Sequence, residues 1–195
     1  MSNIKPNLVL IGGGGHCISV IDIIENDNKY NILGVLERKK TKNSILGYKI
    51  LGDDNLIPKL VNDDTYFLIT VGQLKTYSIR KKIAQMLKKN NAKLATIVSS
   101  LAYVSKHAKL EEGTVIMNHA IVNADAKIGK NCIINTKSNI EHGVSIGDFC
   151  HISTCAVVNG ESIIGNGTFI GSNATISNNI VVKENSIISA GQFIK

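Results

Sequence analysis

The chain has 195 residues, of which 44% are hydrophobic and only 5% aromatic, with no Trp and a formal charge of +7. That much Val, Ile and Leu excludes a disordered or low-complexity chain, and the shortage of aromatics leaves a core of small aliphatic side chains. No aromatic residues interleave with the basic runs Arg38-Lys39-Lys40 and Arg80-Lys81-Lys82, which argues against nucleic acid and in favour of small polyanionic ligands.

The first residues run into a glycine turn before a signal-peptide core is complete, and no apolar run reaches the ~18 residues that span a bilayer. A cytoplasmic protein with no membrane partner is expected. Cys17, Cys132, Cys150 and Cys155 form no CxxC pair and show no zinc spacing, so reduced thiols and no metal are expected. Asn7 to Ile11 reads as a buried strand and Gly12 to Gly15 as a turn; His16 to Glu25 reads as an amphipathic helix with Ile18, Ile21 and Ile24 on one side. Further strands at 32–36 and 66–71 and a helix at 77–89 complete a Rossmann-like α/β domain over residues 1–95 with a parallel sheet. A strand, a glycine turn and a helix start present free backbone N–H groups to a phosphate, with Gly13, Gly14, Gly15 and His16 as candidates. The third glycine of the dinucleotide fingerprint is here Cys17, so a tight turn without ligand is the alternative. Glu37 and Arg38 follow the second strand, where an acid can meet a ribose or base.

From Val98 onward every sixth residue, through Ile146 to Ile194, is aliphatic, seventeen in all, and four residues after each comes a mostly small one such as Ala120, Cys132 or Ser138. This is the hexapeptide repeat of a parallel β-helix, in which three hexads close a triangular coil and residues eighteen apart stack. The repeat predicts about five coils over residues 96–195, with all seventeen aliphatics buried.

Counting the aliphatic position as zero, His107 and His119 stand at phase three, His142 at two and His151 at five. None points into the coil. His142 stands out because Gly160 stacks over it eighteen residues later, leaving a notch beside the imidazole, and because Asn135 and His151 belong to the same coil. An imidazole that titrates near neutrality is a natural general base for an amine or hydroxyl attacking a thioester. Metal binding, the rival use of histidines on a β-helix, lacks a closely spaced His pair here.

The segments NLVLIGGGGHCISVIDIIE, ILGYKILGDD, ITVGQ and IINTKSNIEHGVSIGDFCHIS resemble the sialic-acid O-acetyltransferase-like sugar acyltransferases. The resemblance is strongest to the UDP-4-amino-sugar N-acetyltransferases of the bacillosamine type. It implies a left-handed β-helix, a homotrimer with sites between neighbouring chains, acetyl-CoA as donor and a UDP-amino sugar held by the N-terminal domain. His142 is then the general base, Gly160 supplies the amide that polarises the thioester, and Asn135 and His151 line the same site. The glycine turn, His16 and the Glu37-Arg38 pair lie near the nucleotide, and the CoA arm runs against backbone at Ser172 and Ala190. Relatives carry an acid directly after this His, where this chain has Gly143; Glu141, or Glu161 stacked above Gly143, is expected to replace it. Acetylation of a sialic or nonulosonic acid hydroxyl, and a non-catalytic trimeric scaffold, are the competing readings.

Overall fold

The computed structural model describes residues 5–38 and 42–195, so Lys39 and Lys40 of the first basic run lie outside the described residues. Two compact units result: Met1–Gly72 with Ser78–Ala95, and Gln73–Tyr77 with Thr96–Lys195.

In the first unit, β1 (Asn7–Ile11) is followed by α1 (Gly15–Asp27), β2 (Asn31–Leu36), β3 (Ser44–Ile45), β4 (Tyr48–Gly52) and α2 (Ile57–Leu60). β5 (Thr65–Ile69), α3 (Ser78–Lys89) and β6 (Lys93–Leu94) complete it. The sheet order is β3-β4-β2-β1-β5-β6, parallel except for the β3–β4 hairpin. β1 is buried along Leu8 to Ile11, as a central parallel strand covered on both faces should be. Val9 and Ile11 pack with Phe67, Ile69 and the α3 residues Ile83 and Leu87; alternation turns Leu8 and Leu10 to the opposite face. The buried residues of α1 are Cys17, Val20, Ile21, Ile23 and Ile24. The expected apolar stripe is therefore rotated, and Ile18 stands 43% exposed. Asn28, in the left-handed conformation, ends α1 by donating its N–H to the Ile24 carbonyl.

Arg80 is not the surface charge its basic run suggests. It is fully buried, and its guanidinium donates to the Ile69 and Val71 carbonyls at 3.2 and 2.6 Å. Those bonds make a buried cation tolerable and fasten α3 to the end of β5.

The second unit is a left-handed parallel β-helix of two-residue strands, from Ile97–Val98 to Phe193–Ile194, in three sheets of six, six and five strands. Each strand pairs with those eighteen residues away: Ile133–Ile134 lies between Val115–Ile116 and His151–Ile152. Of the seventeen aliphatics, the twelve from Ile116 to Val182 are buried, while Val98, Val104, Leu110, Ile188 and Ile194 are only partly so. The expectation of uniform burial fails at both ends because a terminal coil has a neighbour on one side only.

Every corner from Gly113 to Gly191 turns through a left-handed residue at phase three. His119 (φ 59°) and Cys155 (φ 59°) hold such places, so their positions answer to backbone geometry. Within one corner column, Thr114, Cys132, Cys150 and Thr168 donate side-chain hydrogens to the carbonyls of Gly129, Gly147, Gly165 and Lys183. Small residues with a donor recur there because a buried carbonyl needs one.

Candidate active site

His142 occupies the corner between the strands Asn139–Ile140 and Ser145–Ile146. Its imidazole lies flat against Gly160: a Cβ at that glycine would stand 2.8 Å from both Cε1 and Nε2. No described residue accepts the Gly160 N–H, as at several other corners, whereas the Gly160 carbonyl accepts from Asn179. An exposed base (63% of the side chain) thus adjoins an open amide donor.

Glu141 Oε2 is 3.7 Å from His142 Nδ1. Two amides fix this carboxylate, Asn139 donating to Oε1 at 2.9 Å and Asn123 to Oε2 at 3.0 Å. Together with the His142 backbone N–H they hold Glu141 below the usual carboxylate range, against the opposing effect of partial burial, and the Asn139 bond contributes most. The other candidate acid also lies close. The Glu161 carboxylate covers Gly143, where a Cβ would meet Oε1 at 2.2 Å, and Gly143 itself takes the left-handed corner conformation (φ 67°) that glycine adopts at least cost. Asn123 and Asn139 escape a reading of the sequence one residue at a time. The signal was the eighteen-residue offset that stacks Asn123 under Glu141.

Asn135 and His151 pair with each other, Nδ2 to Nε2 at 3.0 Å. His151 Nδ1 lies 2.6 Å from the Gln73 carbonyl; a carbonyl only accepts, so Nδ1 carries the proton and Nε2 receives the Asn135 N–H. Asn135 Oδ1 caps the Thr136 N–H, which fixes the amide orientation. His151 is only 6% exposed and stacks edge-on against Phe169. His151 leaves its coil in the direction that its phase implies, but it is covered within its own chain. The segment Gln73–Tyr77 covers it, with Gln73 donating to the Phe149 carbonyl at 2.8 Å and Tyr77 stacking on Phe149.

Ser172 and Ala190 stack on the corner column that begins at Thr136, Ser172 sharing a hydroxyl bond with Ser153 at 3.0 Å and accepting the Gly191 N–H. That column and the His142–Gly160 column border opposite edges of one sheet. A single chain therefore keeps the expected catalytic and CoA residues on separate corners. Cys150 is fully buried, which leaves its sulfur no path to an acyl donor.

In the first unit a cleft of about 330 Å³ opens at the carboxyl ends of β1, β2 and β5, lined by Gly13, Gly14, Glu37, Arg38, Asp54 and Ile79 among others. This is the point where the strand order reverses, the usual ligand position of an open α/β sheet. Gly12 has φ 106° and abuts Val71, so only glycine fits. Gly14 and Gly15 instead face open space, and α1 begins without a side-chain cap, leaving the Gly15 N–H available. His16 lies beside Gly72. The Gly13 N–H is already taken by Glu37 Oε2 at 2.7 Å, which moves the available donors one residue onward. Burial pushes the Cys17 thiol up to about 11, so it is no nucleophile. Among the described residues, no helix is long and apolar enough to cross a membrane.

Residues 7–87 match the PglD N-terminal domain, 125–160 the bacterial transferase hexapeptide (six repeats), and 162–195 the hexapeptide repeat of succinyl-transferase. No curated protein matches the chain in sequence. Among solved structures, the acetyltransferase domain of PglB from Neisseria gonorrhoeae superimposes with a TM-score of 0.91 at 26% identity, over 98% of this chain and 92% of that one. Its complex with acetyl coenzyme A gives 0.90 at 26%, over 98% and 93%. A variant of perosamine N-acetyltransferase from Caulobacter crescentus, in complex with CoA and GDP-perosamine, gives 0.91 at 25%, over 100% and 91%. The fold and these likenesses together define a hexapeptide-repeat acyltransferase. More narrowly, the chain carries a PglD N-terminal domain ahead of its hexapeptide repeats, and over its whole length it is similar to sugar acetyltransferases of the bacillosamine type.

Proposed function

We propose that this enzyme transfers the acetyl group of acetyl-CoA to the amine of a UDP-linked 4-amino sugar, with His142 as general base and no acyl-enzyme intermediate. The observation that carries the proposal is the His142–Gly160 notch: a base and an open N–H donor side by side, with an ionised Glu141 near the far ring nitrogen. The Glu141 carboxylate favours the proton on Nδ1 and leaves Nε2 to accept one. The sugar amine attacks the thioester carbonyl, a C–N bond forms, and the Gly160 N–H meets the charge that develops on oxygen. His142 takes the amine proton; the C–S bond then breaks and the proton passes to the departing thiolate. The products are an acetamido sugar and free CoA.

The separation of the two corner columns within one chain supports a homotrimer, in which a neighbouring copy brings Ser172 and Ala190 to face His142. Asn135 lies at that CoA-facing corner, one residue before the column, and His151 supports it from within. The N-terminal cleft holds the nucleotide, its phosphates on the N–H groups of Gly14 and Gly15 near His16, with Glu37 and Arg38 at the ribose and base. Solved relatives in complex with CoA and GDP-perosamine, and with acetyl coenzyme A, support a nucleotide-linked acceptor and an acetyl-CoA donor. The test is CoA release with UDP-4-amino sugars. His142→Ala should lose ~10²–10⁴-fold in kcat, the usual span for general-base catalysis, while Cys155→Ala stays active; wild-type turnover in His142→Ala refutes the mechanism.

A further inference from the structure

Asn139 holds an arrangement that stability alone does not account for. Its Nδ2 donates to Glu141 Oε1 at 2.9 Å, while its Oδ1 is buried and accepts from no described residue. A buried carbonyl oxygen without a donor costs free energy. Turning the amide over would set that oxygen against the carboxylate and leave Nδ2 buried without an acceptor. Asn139 therefore gives up one hydrogen bond to keep the other. Its neighbours on the adjacent rungs are Ile121 and Val157, so nothing in the sheet calls for an amide there, and an aliphatic side chain would suit the position.

Asn139 and Glu141 are two residues apart on an extended run and leave the coil on the same side. Asn123, one rung below Glu141, donates to the other carboxylate oxygen, Oε2, at 3.0 Å, and its own Oδ1 caps the Ala124 N–H, which fixes its amide. Each oxygen of Glu141 thus has its own amide, and a side chain that is 29% exposed loses the freedom to swing. His142 is the looser partner. Its side chain is 63% exposed, and Nδ1 stands 3.7 Å from Oε2, a gap that a small turn of the ring closes, as catalytic hydrogen bonds tighten when substrate binds. A carboxylate held still gives that ring one place to settle.

Resting on the reading of His142 as general base, we infer that Asn139 is a positioning residue for acetyl transfer. With Asn123 it locks Glu141 where the carboxylate orients the imidazole, the proton kept on Nδ1 and Nε2 turned to the amine. The duty falls on this amide pair because position 143, directly after the histidine, is glycine and brings no carboxylate of its own.

Asn139→Leu keeps the size of the side chain and removes the donor. Thiol release from acetyl-CoA with UDP-4-amino sugars should show kcat reduced about tenfold and KM for both substrates within about twofold, since the substrate contacts are untouched. The melting temperature should hold to within about 3 °C, because loss of the bond is offset by removal of the orphaned oxygen and water reaches Glu141. In a Glu141→Ala background the same change should cost less than about twofold in kcat, as the two residues act through one group. Wild-type kcat in Asn139→Leu overturns the inference, as does an equal loss in the Glu141→Ala background. A loss of kcat that comes with a melting temperature lower by more than about 3 °C makes Asn139 structural and overturns it too. In each case an inactive His142→Ala leaves the functional reading standing. Wild-type protein that releases no thiol with any UDP-4-amino sugar sinks both.

Discussion

Replacing Gly160 with Ala separates the base from the amide donor beside it. The added Cβ would lie 2.8 Å from Cε1 and Nε2 of His142 and 3.3 Å from Nδ1, whereas relaxed contacts of this kind need ~3.5–4.0 Å, so the ring retreats by roughly 1 Å. Gly160 is not among the residues with positive φ, and its backbone therefore accepts Ala without strain. His142 can swing toward solvent, so stability should hold or rise slightly, as Gly→Ala changes at compatible sites do by about 0.4–1 kcal/mol. Catalysis should not hold. A misplacement of ~1 Å can cost 10²-fold in rate, and kcat should fall by about that factor while the Gly160-position N–H and the affinity for CoA persist. Thiol release measures the rate, and thermal denaturation confirms an intact fold. In a His142→Ala background the same change should cost almost nothing more, because the two act through one group. A Gly160→Ala enzyme with wild-type kcat, or equal losses in both backgrounds, refutes the reasoning.

Ile146→Asp buries an unpaired charge in the middle of the stack and should cost several kcal/mol; Leu110→Asp, near a half-covered end, should cost distinctly less, and denaturant melts that rank them otherwise contradict the register. Glu141, whose folded pKa is depressed, contributes stability that is fully present above its ordinary value of 4.5 and is lost as pH falls through the lower folded value. Glu141→Gln should therefore flatten the acid limb of a stability profile below 4.5, and a parallel pair of profiles counts against the Asn123–Asn139 clamp. A Cβ added at Gly14 would meet no protein atom within 4 Å, so Gly14→Val should fold normally and abolish UDP binding, and unchanged calorimetry places the phosphates elsewhere. Sedimentation should give a trimer at micromolar concentration; a fully active monomer dissolves the proposed two-chain site.

The β-helix was legible because a six-residue period repeats the same physical demand, one aliphatic inward per side, until chance is excluded. The α/β unit was legible in outline from Asn7–Ile11, Asn31–Leu36 and α3. The β3–β4 hairpin and the turn that carries Asp54 were not, since a two-residue strand such as β3 and a three-residue helical turn have no period to read. Arg80 misled because a buried Arg and a surface one share the same sequence neighbours; the carbonyls of Ile69 and Val71 that accept its bonds explain it. His151 misled in the opposite sense. Its phase gives the direction of the side chain correctly, but the covering Gln73 comes from 78 residues earlier, and no repeat arithmetic reaches that far.

The corner at Gly143 bears on how such chains should be compared. A carboxylate fills the space over this glycine, yet it arrives from Glu161 one coil above. Read position by position, 143 carries no acid; in space a carboxylate reaches the same corner from one rung above. A side chain restored at 143 would push the Glu161 carboxylate aside, so the two positions compete for a single occupant. Among solenoid enzymes, a missing residue should accordingly be sought one full turn away, above and below, before a site is declared inactive.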